Sequence, residues 1–284
     1  MMRRLLSKLL FWRKGAPVVS VVRLSGIIAA SASPARGRLS LQATEDSLKK
    51  AFSMSGIKAV VLIINSPGGS PVQSELIGSY IRQLALKHDV PVLAFCEDVA
   101  ASGGYWIAAA ADEIYASSVS VVGSIGVISA GFGFPELLEK LGVERRVYTS
   151  GKSKSMLDPF RAENPDDIAY LKQLQNQIHQ RFIDHVKSRR GSRLAGDEDE
   201  IFSGKFWTGE TAHQLGLIDG VGLMREVLEA RFGEKLQIVT IAQKKGFMPF
   251  GLSARMGRLL SYDSAVDDAA AKAIELSLWQ RYGL

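Results

Sequence analysis

Residues 58–65 read KAVVLIIN, an apolar run rich in β-branched side chains that stops at Ser66-Pro67-Gly68-Gly69-Ser70. Such a run, closed by Pro and Gly, predicts a buried strand. Helical periodicity follows over 71–87, then a second strand pattern over 91–96. This alternation predicts an α/β domain with crossover units. Val18, Val19, Val21, Val22 and Leu24 fit a first core strand. A small-residue helix is expected to Ala111, short strands over 113–116 and 119–129, a helix over 135–141 and a strand over 143–149. A long polar helix is expected over 165–189, with Asn164 as its N-cap and acids in its first turn. Residues 191–200 read as a loop, 208–215 and 222–231 as helices, and 236–242 as a last strand. No internal repeat is present, so residues 17–243 form one domain, with a basic segment over 1–16 and a helical extension over 244–284.

Apolar residues make up 46% of the 284 and charged residues 23%, which excludes wholesale disorder. Cys96 is the only cysteine, so a secreted disulfide scaffold is excluded. One cysteine and four scattered histidines also argue against a zinc site, and no metal is expected. The net charge of +6 resembles a nucleic-acid signal until it is located. Eight basic residues precede the first acid, Glu45, and the chain beyond residue 44 holds 27 basic against 29 acidic side chains. The body is therefore near neutral, and no nucleic-acid partner is expected.

Residues 1–14, MMRRLLSKLLFWRK, place Met2, Leu5, Leu6, Leu9 and Trp12 at helical spacing, with the basic residues largely on other faces. Such a helix is about 21 Å long, too short for a hydrocarbon core of about 30 Å. Its composition fits either an interfacial anchor on an anionic membrane or a helix docked on the body. Ala30-Ser31-Ala32 mimics a secretory cleavage site, but Arg23 interrupts the apolar run before it. The acid-free, Arg-rich start also fits a transit peptide. The strand reading of 18–24 is preferred to both. No transmembrane helix is expected, which places the chain in the cytoplasm or on a membrane surface.

Two motifs sit where a strand runs into a helix. In Ser66-Pro67-Gly68-Gly69 the proline fixes one turn residue, and the glycines let backbone N–H groups face a cleft. Such N–H groups suit a developing oxyanion. Taken alone, the tetrapeptide is more readily a plain turn. In Ala101-Ser102-Gly103-Gly104 the serine opens a helix, where it ordinarily serves as an N-cap. Its small neighbours also leave room for another molecule to reach the hydroxyl, the logic of a nucleophile elbow. A nucleophilic serine needs a base. His88, His179, His185 and His213 all fall in helical stretches, which makes a Ser-His-Asp triad a poor fit. Lysine is the other documented base, and the loop holding Lys152 and Lys154 is the best-placed source. Lowering a lysine from about 10.4 to roughly 7–8 takes about 4 kcal/mol of differential desolvation, so that lysine has to be buried.

Five segments together resemble the signal peptide peptidase A type (SppA/SohB-like) of Ser-Lys peptidases, within the crotonase/ClpP superfamily. They are LIINSPGGS (62–70), VAASGGYWIAAAAD (99–112), GSIGVI (123–128), SGKSKSMLDPFR (150–161) and WTGETAHQLGLID (207–219). The resemblance spans residues 18–240. It implies a spiral of ββα units, Ser102 as nucleophile, and Lys154 as base, since the second lysine of SGKSKS is the one followed by SMLDPF. It also implies an oxyanion hole from Gly68 or Gly69 together with Gly103, no cofactor, hydrophobic or signal-peptide-like substrates, and a ring of subunits in which Ser102 and Lys154 meet across a boundary. Two other readings stay open: a crotonase-type acyl-CoA hydratase or isomerase, against which the site offers Ser and Lys rather than carboxylates, and a non-catalytic membrane-associated scaffold.

Overall fold

The run at 58–65 lies in the middle of an eight-stranded sheet. The computed structural model describes residues 16–30, 38–242, 272–273 and 276–284. The helix expected over 1–14, Ser31 and Ala32 of the cleavage-like motif, and most of the helical extension expected over 244–284 lie outside the described residues. In chain order the elements are β1 (Val18–Ser25), α1 (Leu41–Phe52), β2 (Ile57–Ser66), α2 (Pro71–His88), β3 (Val92–Ala101), α3 (Gly103–Ala109), β4 (Glu113–Ala116), β5 (Val121–Gly123) and α4 (Pro135–Lys140). Then come α5 (Pro165–Arg190), α6 (Glu198–Ile201), β6 (Phe206–Thr208), α7 (Gly209–Gln214), β7 (Gly220–Val221), α8 (Met224–Phe232) and β8 (Gln237–Thr240).

The sheet runs β6-β5-β3-β2-β1-β8, with β4 beside β3 and β7 beyond β4. Every pairing is parallel except β5 with β6. Both faces are covered, which is why β2 is an unbroken apolar run rather than an alternating one. Val22, Leu24, Leu62 and Ile64 meet α1, α2 and α5 on one face, whereas Val21, Val61, Ile63 and Phe95 meet α8 on the other.

β3 serves two branches of the sheet. Its residues 93–96 pair with β4 and residues 99–101 pair with β5. Between them the register against β2 slips, from Ile64 opposite Cys96 to Ser66 opposite Ala100. An extra stretch of one strand bends it and lets it leave one layer for the next. Asn65 pins the slip: its Nδ2 donates to Asp98 at 2.6 Å, and its Oδ1 accepts the Val99 N–H at 3.2 Å. The strands therefore form a spiral of ββα units, as the resemblance implies, and the slip carries the end of β3 to Ser102.

The structure departs from the sequence reading in several places. β3 runs five residues past 96, because the slip continues the strand instead of ending it. Only Val121–Gly123 of 119–129 is strand, and Ser124, with φ 54°, ends it. Residues 143–149 form no strand, for among the described residues no strand offers them an edge. α1 had no place in the sequence reading, and α6 begins inside the expected loop and runs one residue past it. Of the C-terminal extension, residues 276–280 are helical, and the Tyr282 ring meets Phe206 edge-on at 5.1 Å.

Candidate active site

Ser102 joins β3 to α3 with φ 52° and ψ −121°, a conformation L-residues rarely hold. Its N–H donates to the Gly123 carbonyl at 2.8 Å, and its own carbonyl accepts the Trp106 N–H at 3.0 Å. The hydroxyl makes no capping bond, so the serine is not spent as an ordinary N-cap. It is half-buried at the head of a helix whose every residue is buried. Strain of this kind collects at functional sites.

The glycines around it are forced by close approach. A Cβ on Gly68 (φ 102°) would lie 2.8 Å from the Ser102 Cβ and 2.9 Å from the Gly103 nitrogen. A Cβ on Gly103 would meet the Ser74 Oγ at 2.3 Å, and one on Gly104 the Ser66 carbonyl oxygen at 2.5 Å. The SPGG turn and the SGG turn are thus in direct contact. The Gly68 N–H leans on the Ser66 Oγ at 3.2 Å. The Gly69 and Gly103 N–H groups have no partner among the described residues.

Lys154 makes none of these contacts. It sits in an exposed turn, its backbone N–H on the Gly151 carbonyl at 3.2 Å, and Lys152 beside it is exposed too. Among the described residues, no hydrogen bond engages the Lys154 ammonium or the Ser102 hydroxyl. The structure therefore brings Ser102, Gly68, Gly69 and Gly103 together, and among the described residues no hydrogen bond or ion pair joins Lys154 to them. The arm carrying it, residues 127–162, is held mainly to itself: Phe134 packs on Phe160 at 5.6 Å, and Arg145 lies over the Phe160 ring and pairs with Asp158.

The supports of α3 escaped the sequence reading. His185 Nε2 lies 3.0 Å from the Trp106 carbonyl, and its ring stacks on Trp106 at 5.1 Å. Arg189 donates to the Ala109 and Ala111 carbonyls, and Arg82 to that of Ala110. His179 Nε2 lies 3.0 Å from the Ile125 carbonyl, two residues past Gly123. A stripe of buried residues at helical spacing in α5 was the available signal, but that helix is polar enough to hide it. Burial first, then the charge of Arg189, lower the His185 pKa, against the Trp106 carbonyl and Glu75. Burial pushes the Cys96 thiol up to about 12, away from nucleophilic use. On the α8 side of the sheet a cleft of about 490 Å³ is lined by Ile63, Phe95, Val121, Met224, Tyr282 and Leu284. Among the described residues, no three His, Cys, Asp or Glu side chains converge on a point where they would hold a metal ion, and no helix is long and apolar enough to cross a membrane.

A sheet that spirals through ββα units and ends on a strained serine beside two glycine turns places the chain in the ClpP/crotonase-like fold class. Residues 85–240, more than half of the chain, match the sequence model of peptidase family S49, and the chain belongs to that family. It is 50% identical over 272 residues to a Brucella abortus (strain 2308) protein named Na(+)/H(+) antiporter NhaA, a match covering 94% of this chain and 37% of that one. To the chloroplastic serine protease SPPA of Arabidopsis thaliana it is 31% identical over 260 residues, covering 88% of this chain and 38% of the relative. The chain thus spans well under half the length of both relatives. Among solved structures, the 1510-N membrane-bound stomatin-specific protease superposes with a TM-score of 0.50 at 17% identity, covering 81% of this chain and all of the other, a likeness of fold.

Proposed function

We propose that the chain is a serine endopeptidase of hydrophobic peptides, with Ser102 as nucleophile and Lys154 of a neighbouring copy as general base. The observation that carries the reading is Ser102 itself, held at positive φ at the head of α3 with its hydroxyl uncommitted, against a glycine turn that exposes free N–H groups. Membership of a peptidase family and the name of the Arabidopsis relative support it. The antiporter name belongs to proteins of which this chain matches 37%, and transport is not carried over.

The reaction follows from these groups. The neutral Lys154 amine takes the Ser102 proton as Oγ attacks the peptide carbonyl carbon. The oxyanion is held by the N–H groups of Gly103 and Gly69, the latter preferred because the Gly68 N–H leans on Ser66. One such donor is worth about 10²–10³ in rate. The ammonium returns its proton to the leaving amine, the C–N bond breaks, and an acyl-enzyme remains. The same lysine then takes a proton from water, the hydroxide attacks the ester, and Ser102 is regenerated. A lysine is such a base only when desolvated, and a single chain leaves Lys154 in water. A second copy laid over the arm supplies the cover, so the site is completed across a subunit boundary, in a ring or a smaller closed assembly. The basic segment 1–14 would then rest on an anionic membrane surface.

The test is hydrolysis of a quenched hydrophobic peptide by wild type, Ser102→Ala, Lys154→Ala and an equal mixture of the two, each sized by light scattering. Both variants should lose at least about 10³ in kcat/KM, and mixing should restore part of it, because some boundaries then carry both intact groups. Full activity in Lys154→Ala would refute the dyad. An assembled wild type that cleaves nothing would favour the scaffold reading.

A further inference from the structure

We infer that His179 and His185 are positioning residues for Ser102, each donating an imidazole N–H to a backbone carbonyl on one side of the serine. The inference rests on Ser102 as the nucleophile and adds what holds it in place. α3 is only seven residues long, and its last turn tightens: the Ala110 N–H bonds to Ile107 at 3.1 Å instead of reaching back to Trp106. That leaves the Trp106 carbonyl, four residues past Ser102, without its helical donor. An orphaned buried carbonyl is costly, and His185 Nε2 satisfies it at 3.0 Å. Phe182, one turn earlier on α5, stacks on the same indole at 4.7 Å, which fixes the distance between the helices.

The other side is built the same way. The Ser102 N–H is held by Gly123, and that hydrogen bond helps fix the serine at φ 52°. The backbone after Gly123 is tied down twice, by the Ser124 N–H on the Lys205 carbonyl at 2.7 Å and by His179 Nε2 on the Ile125 carbonyl at 3.0 Å. Six residues separate the two histidines, which sets them about 120° apart around α5. One reaches α3 and the other the end of β5, so a single rigid helix spans the serine. Both carbonyls are acceptors, so in the neutral imidazole each Nε2 carries the proton.

The variants that test this are His179→Ala, His179→Gln, His185→Ala and His185→Gln, the glutamines retaining a side-chain N–H of similar reach. The readouts are the rate of Ser102 acylation by a fluorophosphonate probe, the separate kcat and KM for peptide cleavage, and the thermal midpoint. Because a misplacement of about 1 Å costs roughly a hundredfold, each alanine variant should acylate at least about tenfold slower. kcat should fall with KM within about twofold, and glutamine should recover most of the loss. His179 is only half-buried, so its variants keep the test open if His185→Ala does not fold. Alanine variants that fold and acylate at the wild-type rate would overturn the inference. So would glutamine variants as slow as the alanines, since the donated hydrogen bond would then be irrelevant. A wild type that the probe leaves unlabelled would instead strike at Ser102 as nucleophile, and this inference would go with it.

Discussion

At Gly69 an added Cβ would lie 2.1 Å from the Ile28 carbonyl oxygen, on a backbone at φ 142°. At Gly103 the nearest obstacle is the Ser74 Oγ at 2.3 Å, the tip of a side chain that can turn, and no left-handed backbone is required there. Ile28 cannot turn away, since its N–H and carbonyl are both bonded, to Gly68 and Ser70. Gly69→Ala should therefore destabilise the fold by about 2 kcal/mol or more, by strain and by breaking this bridge, and Gly103→Ala by clearly less. Urea unfolding of the two variants checks the order, and equal losses would contradict it. Both glycines were singled out in the sequence because a turn residue acts locally, on its own φ and its immediate contacts. Lys154 was singled out as well, but its distance from Ser102 depends on how an arm of the chain is placed, and no local pattern carries that.

Among the elements, β3 and α5 do the most to place the site. β3 brings the chain to Ser102 by slipping its register at Asn65, and α5 holds the short helix that begins there. The unbroken apolar runs made β1, β2 and the start of β3 legible, since strands buried on both faces have few other ways to read. The slip was not legible, because it lies in one asparagine whose partners, Asp98 and Val99, are 33 and 34 residues away. Residues 143–149 carry strand-favouring side chains in Val143, Val147, Tyr148 and Thr149, but a strand also needs a neighbour, and among the described residues these have none. α5 was legible as a helix and not as a support, because its histidines and arginines read as a solvated face. That burial has a measurable consequence. The His185 pKa in the native chain lies below its ordinary value, first through desolvation and then through Arg189, opposed by the Trp106 carbonyl and Glu75. Above about pH 6.5 the residue is neutral in both native and unfolded chains and costs nothing. As the pH falls below that, the unfolded chain takes up a proton that the native chain resists, so stability drops until the native value is reached. The thermal midpoint should fall on acidification from pH 7 to 5, and His185→Gln should remove part of that slope. An unchanged slope in the variant would assign the acid sensitivity to other groups.

For the molecule as a whole, the arm over 127–162 decides between a site complete in one chain and a site shared between chains. It exposes apolar side chains that a lone soluble chain ordinarily covers: Tyr148 is 90% and Phe132 83% exposed, with Leu141, Val143 and Ile128 exposed beside them. Changing Phe132 and Tyr148 together to aspartate removes little from the isolated fold, because exposed positions tolerate such changes within about 0.5 kcal/mol each. Within an interface the same carboxylates would be buried without partners, at a cost of several kcal/mol. The wild type should therefore scatter light as a multiple of the chain mass, with a thermal midpoint that falls on dilution. The double variant should be a folded monomer whose midpoint does not depend on concentration. Its peptide hydrolysis should drop to the level of Lys154→Ala, since no neighbour then delivers the lysine. A monomeric variant that cleaves peptide at the wild-type rate would place the whole site in one chain, and Lys154 would have to reach Ser102 by a swing of its own arm. Stability and chemistry separate cleanly in this experiment because the residues changed touch neither Ser102 nor the glycine turns, and only assembly connects them to the serine.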